Sequence, residues 1–287
     1  MMKMLKKLKD FMRMIKFSHS IFALPFAFTG ALIAADGLPT LKQIFWITVA
    51  MVSARSGAMS LNRIIDRKID ALNPRAKMRE IPAGIIKVRA ASIFTIISFG
   101  LLILAAYMLN PLCLKLSPLA IAVVFFYSYT KRFTWASHFV LGLALSAAPI
   151  GAWIAVRGTL DMNIIILGIA VVFWLAGFDI LYALQDVEFD KSHGLHSIPQ
   201  RFGIKKALLF ARLFHLITWL FLVLTGIVFD MGLLYWLGMA IVAALFVHEH
   251  SLVKADDLSK LDIAFFNMNG YISITVFVFT LMSYLLG

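Results

Sequence analysis

Nine long apolar runs dominate this sequence of 287 residues. A helix needs about 20 mostly apolar residues to cross the roughly 30 Å hydrocarbon core of a bilayer, and each run is close to that length. The runs are continuous rather than alternating, which argues against the strands of a membrane β-barrel. We therefore predict an all-α integral membrane protein with nine transmembrane helices. The predicted spans are residues 18–35, 43–61, 90–109, 112–130, 138–156, 162–184, 207–228, 232–248 and 266–286.

The composition supports this fold class. Hydrophobic residues make up 61% of the chain and charged residues only 15%, whereas soluble domains have about 45–50% apolar and about 25% charged residues. A soluble enzyme and a disordered protein are thereby excluded. The single cysteine, Cys113, excludes an internal disulfide and a cysteine-based metal site. We expect one membrane-embedded domain over residues 1–287.

The distribution of positive charge predicts the orientation. The formal net charge is +12, and in so apolar a chain it indicates loops that face anionic lipid or a phosphorylated substrate rather than nucleic acid. Of the 27 Lys and Arg residues, 24 are counted with the N-terminal segment and the loops after the second, fourth, sixth and eighth spans. The positive-inside rule then places the N-terminus in the cytoplasm and, after nine spans, the C-terminus outside. This predicts a multi-pass protein of the cytoplasmic (inner) membrane, with its polar motifs at the cytoplasmic face.

Acidic residues gather at the cytoplasmic ends of the second and sixth spans. Asn62, Asp66 and Asp70 are four residues apart, so a helix stacks their oxygens along one face. Asp186 and Asp190 repeat this spacing 120 residues after Asp66 and Asp70. An Ile-Pro pair follows each cluster. We interpret the correspondence as an old duplication, in which two pseudo-repeated halves contribute the motifs at 62–70 and 186–190.

Facing carboxylates repel each other unless a cation lies between them. Mg²⁺ suits such clusters because it prefers oxygen and is held by one or two carboxylates together with substrate phosphates. His and Cys are absent from both clusters, which argues against zinc there. Simple solvated helix caps are the alternative, although carboxylates near a membrane face are costly and tend to be functional. The predicted Mg²⁺-binding residues are Asn62, Asp66, Asp70, Asp186 and Asp190.

Basic residues surround the two clusters. Cations beside a carboxylate-bound metal are what a diphosphate requires, and ordinary membrane anchoring is the alternative role. Tyr127 lies one turn before Lys131 and could bind the diphosphate or line the cavity. The predicted diphosphate-binding residues are Lys131, Arg75, Arg79, Tyr127 and, more weakly, Arg67.

Together these motifs resemble the UbiA superfamily of intramembrane aromatic prenyltransferases. The first family motif has an Asn and two Asp residues four apart, then spaced arginines and a proline, and it stands here as Asn62, Asp66, Asp70, Arg75, Arg79 and Pro82. The second motif stands as Tyr182, Asp186 and Asp190, and the Tyr-x-x-x-Lys element as Tyr127 and Lys131. Nine spans is the usual number in the family, so the resemblance covers nearly the whole chain.

The resemblance implies a Mg²⁺-dependent enzyme. Such an enzyme transfers a polyprenyl group from polyprenyl diphosphate to the ring of an aromatic acid such as 4-hydroxybenzoate, in ubiquinone or menaquinone biosynthesis. The motifs look like the 4-hydroxybenzoate branch. Arg63 and Glu80 depart from the common pattern, which is also compatible with a related branch that uses another aromatic acid.

Two further roles concern the acceptor. Its carboxylate needs a cation away from the diphosphate, and Arg132 is the candidate because neighbours at a helix end point about 100° apart. Asp179, deeper in the sixth span, is a candidate base, with a polar contact between helices as the equal alternative.

A secondary transporter is the rival interpretation. Duplicated halves and a span broken by Pro149 suit one, but transporter sites usually lie near the midplane rather than at one face. His248-Glu249-His250 lacks the spacing of a zinc-protease motif and is a weak signal.

Overall fold

The computed structural model describes residues 2–17, 20–261 and 263–286, and over those ranges it contains helices and no strands. The helices are α1 (Met2–Met14), α2 (Ser20–Ala35), α3 (Leu41–Leu72), α4 (Val88–Leu109), α5 (Pro111–Thr130), α6 (Ser137–Arg157), α7 (Met162–Ala183), α8 (Val187–Ser192), α9 (Ile198–Phe202), α10 (Ile204–Val228), α11 (Leu233–Leu252) and α12 (Asn269–Leu286). A 3₁₀ turn, Leu184–Asp186, joins α7 to α8, and a π-helical turn, Ile263–Met268, precedes α12.

Eight helices in the described ranges are long and apolar enough to cross a membrane. They are α3, α4, α5, α6, α7 with its continuation to Ser192, α10, α11 and α12. The all-α membrane fold is therefore confirmed. The ninth predicted span corresponds to α2, which has 16 residues and so a length of about 24 Å. The count of nine stays a prediction, and residues 18 and 19 of that span lie outside the described residues.

Helix α7 lies at the centre of the bundle. It packs against α6 and α10, and Leu167, Trp174 and Leu175 on it are fully buried. Phe26 of α2 and Ile272 of α12 join the same apolar core. In a bilayer such helices associate through close packing, since lipid is as apolar as the side chains. Gly142 of α6 illustrates this, because a Cβ there would lie 2.4 Å from the carbonyl oxygen of Val172 in α7.

Helix α3 continues well beyond the predicted span 43–61. Thr40 caps its first turn together with Gln43, and it runs for 32 residues to Leu72, where Asn73 and Pro74 follow. That length is about 48 Å, so its last turns extend past the hydrocarbon core. Asn62, Asp66 and Asp70 therefore lie on one unbroken helix, as their spacing predicted.

The second motif is built differently from the first. α7 ends at Ala183, Asp186 lies in the 3₁₀ turn and Asp190 lies in α8. The two clusters thus do not share the regular helical stacking that we expected of both. The charge count also needs a correction, because Arg55 and Arg212 lie within the predicted spans 43–61 and 207–228 rather than in the segments between spans. The imbalance between the two sides survives their removal.

Candidate active site

One cavity of about 880 Å³ receives both acidic motifs. Residues of α3, α4, α5, α6 and α7 line it, with most polar side chains at the C-terminal ends of α3, α5 and α7 and mainly apolar side chains elsewhere. Ten of the twelve residues predicted from the sequence lie on its wall. They are Asn62, Asp66, Asp70, Arg75, Arg79, Tyr127, Lys131, Asp179, Asp186 and Asp190.

Asp66 joins α3 to the end of α5. Its carboxylate is 1% exposed and lies 2.7 Å from Lys131 Nζ and 3.2 Å from Arg132 Nη2. Asn62 Nδ2 donates a third contact of 3.2 Å to Asp66 Oδ2. Three donors on one buried carboxylate fix its direction.

Asp70 is held by two arginines. Arg79 Nη1 donates to Oδ1 at 2.8 Å, and Arg63 Nη1 lies 3.8 Å from Oδ2. Arg63 also donates to the carbonyl oxygen of Met14, so it ties α3 to the end of α1. Among the described residues Asp70 Oδ2 receives no hydrogen bond, although it is buried.

Asp186 connects the second motif to the end of α3. Arg75 binds both of its carboxylate oxygens, with Nε 3.1 Å from Oδ1, and Asn73 Nδ2 donates to Oδ1 at 3.0 Å. The Arg75 guanidinium also lies over the Tyr182 ring, 4.6 Å from its centroid. Asp190 accepts a hydrogen bond of 3.1 Å from Ser197 Oγ. The loop after α3 and the turn after α7 therefore form one polar mouth.

Two predicted residues take other positions. Arg132 binds Asp66 and the carbonyl oxygen of Ile65, and it is not among the described residues that line the cavity. Lys131 and Arg132 thus serve the same carboxylate and not different anions, because the chain turns at Lys131 and brings both towards α3. Arg67 donates to the carbonyl oxygen of Ile64 on its own helix and is likewise not on the described cavity wall.

Arg55 is a cavity residue that the sequence analysis missed. It lies two turns before Asn62 on α3 and lines the cavity. Its Nε is buried and has no hydrogen-bond partner among the described residues. A charged donor left unsatisfied inside an apolar wall points to an anionic ligand. An isolated arginine within an apolar run was the available signal.

Asp179 forms a pair with His138, which the sequence analysis also missed. His138 Nδ1 lies 2.7 Å from Asp179 Oδ2, and His138 Nε2 accepts the backbone N–H of Ile198 at 3.2 Å. This second contact places the proton on Nδ1, so the imidazole donates to the carboxylate. Both residues line the cavity. Asp179 is therefore a contact between helices and a cavity carboxylate at once.

Lys16 adds a further cation beside the mouth. Its Nζ lies 3.4 Å from Tyr182 Oη, and it lines the cavity together with Arg63, Arg75 and Arg79. Burial lowers the pKa of the Lys16 ammonium below its ordinary value, and the neighbouring arginines lower it further.

The carboxylates fit a hard divalent cation. They offer only oxygen ligands, they share one cavity mouth, and one buried oxygen of Asp70 lacks a donor within the described part of the chain. Mg²⁺ favours this chemistry.

Comparison with known proteins decides the family. The model of the UbiA prenyltransferase family matches residues 23–271. The chain belongs to this family. Within the UbiA family it is 34% identical over 258 residues to a 4-hydroxybenzoate octaprenyltransferase of Pseudomonas aeruginosa (strain LESB58), covering 88% of this chain and 85% of that protein. The chain is thus a prenyltransferase rather than a transporter.

Solved UbiA structures share the fold. A UbiA homolog from Aeropyrum pernix K1 superposes with a TM-score of 0.84 at 29% identity, over 91% of this chain and 96% of that one. A UbiA homolog from Archaeoglobus fulgidus, solved bound to DMAPP and Mg²⁺, gives a TM-score of 0.67 at 18% identity, over 93% of this chain and 99% of that one.

Proposed function

We propose that this UbiA-family enzyme transfers a polyprenyl group from polyprenyl diphosphate to the ring of 4-hydroxybenzoate or a closely related aromatic acid in quinone biosynthesis. One observation carries the proposal: one cavity joins an acidic and basic mouth, an arginine whose buried Nε has no hydrogen-bond partner among the described residues, and a long, mainly apolar wall. Each part suits one portion of the two substrates. The name of the Pseudomonas aeruginosa relative supports the choice of acceptor.

The mouth provides the diphosphate site. Lys131, Arg75 and Arg79 line it and would bind phosphate oxygens, while Tyr127 lies one turn before Lys131. Asn62, Asp66, Asp70, Asp186 and Asp190 would hold Mg²⁺. When bound, the ion would neutralise the negative charge that develops on the leaving diphosphate.

The apolar wall suits the prenyl tail. It extends along α3 from Ile47 to the mouth, a distance of about 28 Å from Ile47 to Asp66. Leu119 of α5 and Leu143 of α6 line it and are 61% and 55% exposed, so the cavity opens sideways between these helices. A long tail can therefore continue into the bilayer, where each buried CH₂ contributes about 0.8 kcal/mol.

Arg55 suits the acceptor carboxylate. It lies about 10 Å deeper along α3 than Asn62, away from the residues that would bind the diphosphate. An acceptor whose carboxylate binds Arg55 would place its phenol end towards the mouth. This assignment replaces Arg132, whose guanidinium binds Asp66.

The transfer exchanges one bond for another. The bond between the allylic carbon and the diphosphate oxygen breaks, and that carbon bonds to the ring carbon beside the phenol. The phenol oxygen donates electron density to the ring carbons ortho and para to it. Because the carboxylate occupies the para carbon, the ortho carbon is the one that reacts. The ring proton then leaves, and Asp179, a cavity carboxylate outside the two acidic motifs and held by His138, would accept it. The apolar walls exclude water from the allylic cation.

We further infer that the mouth faces the cytoplasm. The charge imbalance supports this, because the loops after α3 and α5 carry the basic residues and also form the mouth.

The test uses the purified protein in lipid nanodiscs with labelled polyprenyl diphosphate and Mg²⁺. 4-Hydroxybenzoate, benzoate and phenol are offered in turn. We expect a prenylated product and equimolar diphosphate with 4-hydroxybenzoate, and far less with phenol or benzoate. A prenylated product from phenol equal to that from 4-hydroxybenzoate would contradict the carboxylate site, and diphosphate release without any ring product would contradict the acceptor class.

A further inference from the structure

A second polar cluster lies between α10 and α11, outside the cavity. It contains His215 of α10 with Glu249 and His250 of α11. His215 is 1% exposed and Glu249 is fully buried. One ligand atom from each side chain lies within 4.8 Å of the others. Of the described residues that line the active-site cavity, none belongs to this cluster.

The hydrogen-bond partners of His215 determine its tautomer and leave its Nδ1 lone pair facing Glu249 and His250. Its Nε2 lies 3.3 Å from the carbonyl oxygen of Trp174, which can only accept, so Nε2 carries the proton. In the neutral ring Nδ1 then presents a lone pair to His250 Nε2 at 2.9 Å and to Glu249 Oε2 at 3.4 Å. His250 can donate one proton to Nδ1. Within the described residues Glu249 Oε2 is left without a hydrogen bond, although it is buried.

The surroundings orient all three groups. Asn269 Nδ2 donates to the other oxygen of Glu249 at 2.9 Å, and Trp174 Nε1 donates to Asn269 Oδ1 at 2.7 Å. Gly177 of α7 makes room for the imidazole, since a Cβ there would lie 2.3 Å from His215 Cδ2. Metal-binding imidazoles and carboxylates in proteins usually have such outer hydrogen bonds, which fix the ring tautomer and direction.

We propose that His215, Glu249 and His250 bind a divalent transition-metal ion of the Zn²⁺ class, which clamps α10 to α11. Two imidazoles and one carboxylate are a common Zn²⁺ ligand set that leaves a fourth position for water. Tetrahedral Zn²⁺ with bonds of about 2.0–2.1 Å separates neighbouring ligand atoms by about 3.3 Å. The distance of 3.4 Å between His215 and Glu249 already matches, and the two imidazoles need to separate by a few tenths of an ångström.

This site and the active site select different ions. Imidazole ligands favour Zn²⁺ and related transition metals, whereas the all-oxygen mouth favours Mg²⁺. The competing explanation is protonation, in which Glu249 or His215 takes up a proton that satisfies the orphan oxygen. The two explanations differ in whether the purified protein binds a transition metal at this position.

The test is a Co²⁺ titration of the full chain in detergent, after treatment with chelator and in excess Mg²⁺. Tetrahedral Co²⁺ gives strong visible ligand-field absorption. We expect one Co²⁺ per chain, displaced by Zn²⁺, and a rise in thermal midpoint with either ion. Glu249→Gln and His250→Asn should weaken binding at least about tenfold. His248→Asn, which alters an exposed neighbour on the same helix, should bind as the unmodified protein does.

Two outcomes would overturn the proposal. One is the lack of a tetrahedral Co²⁺ spectrum in the unmodified protein, a result that does not depend on whether any variant folds. The other is a spectrum that is lost in Asp190→Asn and kept in Glu249→Gln, which would place the ion in the active site.

Discussion

Lys131 and Arg132 show how a short turn changes the directions in which two adjacent side chains point. On a regular helix end they would point in different directions, yet α5 ends at Thr130 and both side chains bind Asp66. Spacing was sufficient to predict that Asn62, Asp66 and Asp70 share one face, because helical periodicity fixes a face of α3. It was not sufficient for Asp186 and Asp190, which lie in a 3₁₀ turn and in a separate short helix. The partner of each carboxylate was not predictable, because it depends on where distant helix ends meet.

Asp190 offers the cleanest test of the acidic mouth. Its hydrogen-bond donor is Ser197, so Asp190→Asn removes a carboxylate without unpairing an arginine of the mouth. We expect kcat to fall about 10²–10³-fold, because charge stabilisation of the leaving diphosphate is lost, and the Mg²⁺ requirement to rise. Steady-state kinetics at several Mg²⁺ concentrations measures both. Glu188→Gln is the matched control, because that side chain is 89% exposed two residues away. Activity near the unmodified level in Asp190→Asn would mean that the cluster is a solvated cap.

Variants of Arg55 and Arg132 distinguish binding of the aromatic acid from positioning of the Asp66 carboxylate. Losing a charge-assisted hydrogen bond costs roughly 1.5–3 kcal/mol. Arg55→Ala should therefore raise KM for the aromatic acid about 10–100-fold and leave KM for the prenyl diphosphate nearly unchanged. Arg132→Ala should instead lower kcat, because Asp66 loses one of its two cations. Kinetics with each substrate varied in turn distinguishes the two patterns. A rise in the acceptor KM confined to the Arg132 variant would restore that residue as the acceptor site.

The helices α3 and α7 end differently although their motifs look alike. α3 runs on to Leu72, whereas α7 stops at Ala183 before a 3₁₀ turn. Apolar runs predicted both helices, since a membrane span requires them. The ends were less predictable because α3 continues as a helix beyond its apolar run. The contacts of Asp186 and Asp190 with Asn73 and Ser197 hold the turn after α7.

Two glycines of α6 should respond oppositely to a methyl group. Gly142→Ala places Cβ against the backbone of α7, which cannot move aside cheaply, so we expect a loss of about 1–3 kcal/mol. Gly151→Ala meets nothing within 4 Å and should be neutral or slightly stabilising. Thermal unfolding of both variants in the same detergent compares them. Equal midpoints would show that α6 and α7 separate easily.

At the scale of the whole molecule, the membrane bundle followed from apolar length alone. Apolar length alone did not predict the orientation of the bundle, or whether α2 crosses the membrane, because both depend on how the helices are placed in the bilayer. α2 has 16 residues and packs against α6 and α12.

Reporter fusions at three positions test the topology. If α2 crosses the membrane, a fusion after Leu38 lies outside, one after Gly84 lies in the cytoplasm, and one at Gly287 lies outside again. We expect an externally active reporter to work at the first and last positions and a cytoplasmic reporter at the middle one, because positive loops stay inside. With a cytoplasmic N-terminus, a cytoplasmic signal at Leu38 together with an external signal at Gly84 would remove α2 from the spans, because only α3 lies between those two positions. A cytoplasmic signal at Gly287 would refute the nine-span topology.

The pairing of the mouth's carboxylates with its own cations has a consequence for how substrates arrive. Asp66, Asp70 and Asp186 each already bind Lys or Arg side chains. Under the proposed function, a diphosphate that enters with its metal would take those cations while the metal would take the carboxylates. Donor binding would therefore be an ion exchange, in which the ion pairs within the mouth are replaced by ion pairs with the substrate and its metal. Asp66, Asp70 and Asp186 would then face a cation both before and after the exchange.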